Sequence, residues 1–133
     1  MKYLLLIYAP DKAIDESERA QCYKDSTNLC QDLNASGKFL GANPLHPVAT
    51  ATSLRIREGK RLVTDDPFAE TREHLGGYFL VDADDLDDAL GIAARIPAAK
   101  WGTIEVRPVV EIAGIPNSPK AALPERPALV SSL

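Results

Sequence analysis

The stretch from Leu62 to Phe79 concentrates residues that can do acid–base or binding chemistry. It reads LVTDDPFAETREHLGGYF and combines an aspartate pair, a proline, a phenylalanine, two glutamates and a histidine. A connection that only reverses the chain does not need this density of carboxylates. A carboxylate works as a general acid or base when burial or a like-charged neighbour raises its pKa toward neutrality. The segment therefore predicts an acidic bend that lines a cleft.

Asp65 is the candidate catalytic residue of this bend, because Asp66 lies next to it and Phe68 offers an apolar wall. Asp66, Phe68 and Glu70 are the candidate ligand-binding residues. A simpler interpretation stays open. Asp65 accepts backbone N–H groups across the turn, Pro67 sets the following bend, and Glu70 begins a helical turn.

Two further residues are candidates for ligand binding. His46 lies on a proline-flanked connection, Pro44-Leu45-His46-Pro47. Arg107 projects from the polar side of an alternating strand, where a guanidinium can clamp a carboxylate with two hydrogen bonds. The alternatives are an exposed loop histidine and an arginine paired with the nearby Glu105 and Glu111.

Metal and cofactor sites find little support in the sequence. Asp65, Glu70 and His74 form a conceivable set for a hard cation, but His74 also fits an exposed helical turn. The chain has no HExxH motif and no spaced histidine triad. Gly76-Gly77 is a bare pair that indicates crowding between strands rather than a phosphate loop. We expect no metal and no cofactor.

Composition is that of a single globular domain with 133 residues, 45% of them hydrophobic and 26% charged. The net charge of −4 argues against direct nucleic-acid binding, which requires clustered basic residues. The apolar N-terminal run is too short for a signal peptide, and no stretch approaches membrane-spanning length. Cys22 and Cys30 lie eight residues apart on one predicted helix, too far for a disulfide. We expect a cytoplasmic protein with two free thiols.

The order of predicted elements is βαβ, a hairpin, then βαβ. A capping box begins the first helix at Asp15, and Gly37 ends it. The second helix follows a run of aspartates, and its predicted inner face comprises Leu86, Ala89, Leu90, Ala93 and Ile96. The last strand is predicted from Thr103 to Ile112, followed by a Pro/Ala-rich tail over residues 113–133.

This order predicts an α+β fold of the ferredoxin-like (dimeric α/β barrel) type. Right-handed crossovers place both helices on one face of an antiparallel sheet. The chain has no third helix to cover the other face. A second copy that packs sheet to sheet is the economical solution, so we expect a homodimer.

Five blocks of the sequence resemble the YCII-related proteins, in particular the branch named for an Asp-Gly-Pro-Phe motif. The blocks are Met1–Tyr8, Leu62–Thr71, Leu75–Phe79, Asp84–Leu90 and Ile104–Pro108. The resemblance covers residues 1 to 112 and implies a dimeric ferredoxin-like domain whose biochemical role is largely unassigned. It also implies a sigma factor as a partner, since members of this branch occur beside extracytoplasmic-function sigma factors.

Two departures from the family pattern bear on function. Asp66 replaces the glycine of the branch motif; aspartate tolerates a positive φ but adds a charge. The wider family is associated with a His–Asp pair, and the aligned positions here are Ser26 and Ile96. That acid–base pair does not carry over.

Two functions remain open after the sequence analysis. The first is a binding or sensing dimer for a small molecule, linked to sigma-factor regulation. The second is a small-molecule enzyme, a lyase, isomerase or hydrolase, that uses Asp65 as general acid or base and Arg107 as anchor. The absence of an activated nucleophile or a family-type histidine favours the first.

Overall fold

The computed structural model describes residues 1–67 and 72–116. Within these ranges the chain forms six strands, two α-helices and two short 3₁₀ helices, Val48–Thr50 and Pro97–Lys100. The strands and α-helices are β1 (Lys2–Pro10), α1 (Glu16–Ala35), β2 (Phe39–Pro44), β3 (Ser53–Arg57), β4 (Lys60–Thr64), β5 (Glu73–Asp82), α2 (Leu86–Ala93) and β6 (Thr103–Pro108).

Four of the strands form one antiparallel sheet in the order β2-β5-β1-β6. The two central strands, β1 and β5, are therefore each followed by a helix and a crossover to an outer strand. This is the arrangement of a ferredoxin-like fold, and the predicted fold class is confirmed.

The core lies between the sheet and both helices. Tyr3 and Leu5 of β1 face the same side as Phe79 and Val81 of β5, because Leu5 pairs with Phe79 and Tyr3 with Val81. Leu33 of α1 packs in the same buried cluster, together with apolar residues of α2. Both helices thus cover one face, and each large apolar side chain buried here contributes about 1.5–3 kcal/mol.

Helix α1 begins and ends where the sequence predicted. The Asp15 carboxylate accepts the Glu18 N–H at 2.7 Å, and the Glu18 carboxylate accepts the Asp15 N–H at 3.2 Å, which completes the capping box. Gly37 has φ 76°, and Lys38 N–H donates to the Leu33 carbonyl at 2.8 Å, as in a Schellman motif. Neither helix in the described ranges is long and apolar enough to cross a bilayer.

The predicted inner face of α2 is partly wrong. Ala89, Ala93 and Ile96 are buried, but Leu86 and Leu90 are about half exposed, and Ile92 is buried instead. Apolar residues on this helix form two overlapping stripes, both with helical periodicity. The stripe that contains the small residues Ala89 and Ala93 packs against the sheet. Which of the two stripes is buried depends on this packing and cannot be read from the periodicity.

Two strand boundaries also differ from the prediction. Glu73 and His74 belong to β5 rather than to a helical turn, so this strand begins four residues earlier than Gly77. Strand β6 ends at Pro108 rather than at Ile112, which lies exposed. The alternation of apolar residues continues past Pro108, where the Val109 N–H still donates to the Lys2 carbonyl of β1 at 2.9 Å, but the strand ladder itself ends at Pro108.

Strands β3 and β4 form a separate hairpin. Its two-residue turn, Glu58-Gly59, has positive φ at both positions (52° and 76°), which suits the twist of a tight hairpin. Leu54 pairs with Val63, and both are more than half exposed.

The face of the sheet opposite the helices carries apolar side chains. In β1 and β5 these side chains alternate with the core residues named above. The apolar residues of this open face are Leu4, Leu6, Tyr8, Leu75, Tyr78 and Leu80.

Two glycines allow close approach of backbone segments. A Cβ on Gly77 would lie 2.9 Å from the Asn43 carbonyl oxygen of β2, which confirms the predicted crowding between strands. A Cβ on Gly102 would collide with the Tyr8 carbonyl oxygen and lie 3.2 Å from Ala9 Cα. Both neighbours are backbone atoms, which cannot move without disturbing β1.

We predict that Gly102→Ala lowers the free energy of unfolding by about 1–3 kcal/mol, because the added methyl group overpacks the β1 backbone. Gly91→Ala is the matched control. Gly91 lies in α2 with no atom within 4 Å of an added Cβ, so this variant gains about 0.5–1 kcal/mol. Urea titration of both variants checks the pair, and equal midpoints would contradict the packing argument.

The ion pair between Lys38 and Asp88 joins β2 to α2. The Lys38 ammonium donates to Asp88 Oδ2 at 2.6 Å, and the Asp84 N–H donates to the same oxygen at 2.9 Å. The Lys38 hydrogen bond, followed by that of Asp84, lowers the pKa of Asp88, while the Asp88 hydrogen bond raises the pKa of Lys38. The contribution to stability is therefore lost as the pH falls through the lowered aspartate pKa or rises through the raised lysine pKa.

We predict that Lys38→Met is less stable than the original protein at pH 7, and that the difference shrinks as the pH falls through the lowered pKa of Asp88. Urea midpoints over a pH series measure this. Lys24→Met, at an exposed lysine without an ion pair in the described ranges, serves as the control. A Lys38→Met deficit that persists unchanged at low pH would show that packing, not charge, is lost.

Candidate functional site

A cavity of about 530 Å³ opens at the end of the sheet where β1 and β2 end and β5 begins. We call it the main cavity. Its wall combines the β1–α1 loop, the first half of α1, the connection after β2, the start of β5 and the second 3₁₀ helix. The polar or aromatic side chains in the wall are Asp11, Lys12, Arg19, Tyr23, His46, His74 and Trp101.

His74 reaches the main cavity because of an irregularity in the β1–β5 ladder. Ile7 pairs with Gly77, but Tyr8 pairs with Leu75, so Gly76 is an extra residue in β5. In the part of β5 before Gly76, this bulge reverses which side chains face the helices and which face the open side of the sheet. His74 then pairs with Ala9 and is half-buried on the helix side.

His46 lies on the other side of the same opening. The connection that carries it is attached to β5, because the Leu45 N–H donates to the Gly76 carbonyl at 2.9 Å. Pro44 and Pro47 restrict the backbone on both sides. The exposed imidazole of His46 therefore lines the main cavity from a restrained loop.

Helix α1 and the second 3₁₀ helix supply the remaining side chains. Arg19 and Tyr23 are four residues apart on α1, so they lie one above the other on the face toward the main cavity. Trp101 follows the 3₁₀ helix and is half-buried beside Gly102, at the corner where the chain turns into β6.

Five hydrogen-bonding side chains of this wall have no protein partner within residues 1–67 and 72–116. The described contacts give no partner to the side chains of Arg19, His46 or His74, nor to the Tyr23 hydroxyl or the Trp101 indole N–H. A guanidinium, two imidazoles, a phenol and an indole can together donate several hydrogen bonds to one small molecule. The wall of the main cavity can therefore donate hydrogen bonds to a polar group.

The backbone beside the opening carries conformational strain. Lys12 has φ 60°, in the left-handed region that non-glycine residues rarely adopt, and the turn is closed by the Ala13 N–H donating to the Pro10 carbonyl at 3.2 Å. Such strain costs on the order of 1–3 kcal/mol and clusters at ligand sites.

A smaller cavity of about 220 Å³ adjoins the main one, and we call it the annex. It lies between α1 and the strands β2 and β5, and it shares Ile7, Cys22 and Ala98 with the wall of the main cavity. Burial raises the pKa of the Cys22 thiol, against an opposing hydrogen bond from Ser26. Cys22 is thus a poor nucleophile, as the sequence predicted.

The structure does not bring the predicted site residues together in this wall. Asp65 and Asp66 are exposed just beyond the end of β4, and the Asp66 carbonyl accepts the Ser53 hydroxyl at 2.6 Å. Arg107 is exposed on the open face of the sheet, where it pairs with Leu4. Of the predicted residues, His46 lines the main cavity. The predictions for Phe68 and Glu70 fall outside the described residues, and so does part of the metal set with Asp65 and His74.

Asp66 needs no positive φ at the position where the branch motif has glycine. The non-glycine residues with positive φ in the described ranges are Lys12 and Glu58. The replacement therefore adds a charge without backbone strain, and the bend tolerates it.

Four residues of this wall were not predicted from the sequence. His74 was predicted on a helical turn, although counting the alternation back from Phe79 across the glycine pair gives a strand that includes it. Arg19 and Tyr23 carry a weak signal, their spacing of four residues on α1. Trp101 lies next to Gly102 at a corner of the chain, and no sequence pattern distinguishes such a corner residue from one in a cavity wall.

Comparison with known proteins agrees with this fold. The YCII-related domain matches residues 1–113. An uncharacterized protein of Rhizobium meliloti (strain 1021) is 37% identical over 119 residues, which cover 82% of this chain and 92% of that protein. The chain therefore belongs to the YCII-related family, and no biochemical role comes with that membership.

Proposed function

We propose that this YCII-related protein binds a small organic molecule in the main cavity and acts as a binding or sensing domain. The observation that supports the proposal best is the set of unused donors on Arg19, His46 and His74, which line one cavity from three different elements. Arg19 and His46 are exposed and His74 is half-buried, so their donors are accessible to a small molecule that enters this cavity.

In the described part of the chain, no comparable set of cavity-lining side chains supports the other functional predictions. General acid or base catalysis by Asp65 stays a prediction, since its carboxylate is exposed outside the wall of the main cavity. Membership of the Asp-Gly-Pro-Phe branch and contact with a sigma factor also stay predictions.

A screen of small organic compounds by amide NMR tests the proposal. We predict that binding compounds move the resonances of Arg19, His46 and His74, and that His74→Gln weakens binding about three- to tenfold through one lost hydrogen bond. Asp65→Asn is the matched control in the acidic bend, and its affinity stays unchanged. Loss of affinity in Asp65→Asn with none in His74→Gln would move the site to the acidic bend and overturn the proposal.

We also propose that the open face of the sheet is the interface of a homodimer. Leu4, Leu6 and Leu80 lie side by side on the two central strands of this face. A contiguous apolar surface on a central sheet is unfavourable in water and is usually covered by another protein surface. A second copy of the chain offers a matching surface by two-fold symmetry.

Light scattering coupled to gel filtration tests the interface. We predict a mass of twice 14.4 kDa for the original protein and a single chain mass for Leu80→Lys, because a lysine on the open face would be desolvated at the interface. Val63→Lys, on the exposed hairpin, is the control and keeps the double mass. A single chain mass for the original protein at high micromolar concentration would contradict the dimer.

A further inference from the structure

The two ends of the combined cavity differ in charge. The main cavity carries two cations, Lys12 and Arg19, against one carboxylate, Asp11, although the whole chain has a net charge of −4. His46 and His74 each add a ring N–H donor. An acidic protein with a locally cationic opening favours a negatively charged ligand over a cation or a neutral sugar.

The annex, in contrast, is apolar where a ligand would touch it. Ile7, Cys30, Ala42, Phe79 and Ile96 form much of its wall. Its polar groups are already used. The Thr27 hydroxyl donates to the Tyr23 carbonyl at 2.8 Å, and the Ser26 hydroxyl bonds the Cys22 thiol. Unlike the main cavity, the annex has few free donors to offer.

We propose that the ligand is an amphipathic organic anion, with its acidic head group against Arg19 and His74 in the main cavity and an apolar tail in the annex. The inference rests on the proposed function and adds the chemical class of the ligand. The continuity of the cavities supports it, because Ile7, Cys22 and Ala98 belong to both walls. An alkyl tail that extends past these residues moves from water into contact with apolar surface, while the acidic head group keeps its hydrogen bonds in the main cavity.

Straight-chain carboxylates from butanoate to decanoate provide a direct probe. We expect amide NMR titrations to show an affinity that rises about threefold for each added methylene until the annex is full. Octylamine, which has the same tail and the opposite charge, binds at least about tenfold more weakly than octanoate. Equal affinities for butanoate and octanoate, or for octanoate and octylamine, would overturn the proposal.

Two variants test the contacts of the acidic head group and of the apolar tail separately. Arg19→Gln weakens every chain length by a similar factor of about ten, because the charge-assisted hydrogen bond is lost. Ser26→Leu fills the annex from α1 and removes the dependence on chain length without changing the affinity for butanoate. Asn28→Leu, on the exposed side of the same helix, is the control and changes neither. A Ser26→Leu variant with an unchanged chain-length dependence would show that the tail lies elsewhere.

The same titrations distinguish an error in the ligand class from an error in the proposed binding function. If other compounds move the resonances of the main cavity but carboxylates show no chain-length dependence, the amphipathic class is wrong and the binding function stands. If no compound moves those resonances, both are wrong.

Discussion

The antiparallel pairing of β1 with β5 is the interaction on which the rest of the structure depends. These two strands occupy the centre of the sheet, supply the largest part of the core facing α1 and α2, and carry the bulge at Gly76. Because side chains alternate along a strand, one extra residue exchanges the two faces for everything before it. Because of the bulge, Phe79 packs in the core while His74 lines the main cavity. A regular ladder would direct Leu75 toward the helices and His74 toward the open face.

The remaining elements hold the wall of the main cavity around that bulge. The capping box and the Schellman motif define the length of α1, so Arg19 and Tyr23 stand over the end of the sheet. The Leu45–Gly76 hydrogen bond fixes the loop of His46 to the bulged strand itself. Gly102 lets the Trp101 corner approach β1 without a collision. The hairpin of β3 and β4 takes no part in this wall, and its exposed aliphatic residues remain separate from it.

Local signals in the sequence predicted the fold more fully than the site. Asp15, Glu18 and Gly37 predict the ends of α1 because caps act within a few residues, and the succession of strand and helix patterns along the chain predicts the ferredoxin-like order. The stripe of α2 that contacts the sheet was not decidable, since Leu86 and Leu90 have the same period as Ala89 and Ile92. The site was not predicted from the sequence for a related reason. Its members come from five parts of the chain. The acidic bend was predicted as the site because of its density of carboxylates, but Asp65 and Asp66 are solvent-exposed outside the main cavity. Only the register of one bulge shows that His74 and His46 share a wall.

The central claim is that the opening between α1 and the bulged end of the sheet is where this YCII-related protein holds its ligand. A crystal structure of the protein soaked with octanoate tests it most directly. The account predicts the carboxylate within hydrogen-bond distance of the Arg19 guanidinium or the His74 imidazole, with the alkyl chain between α1 and β5. Octanoate bound instead beside Arg107 on the open face, or beside Asp65 and Asp66 at the acidic bend, would contradict the account.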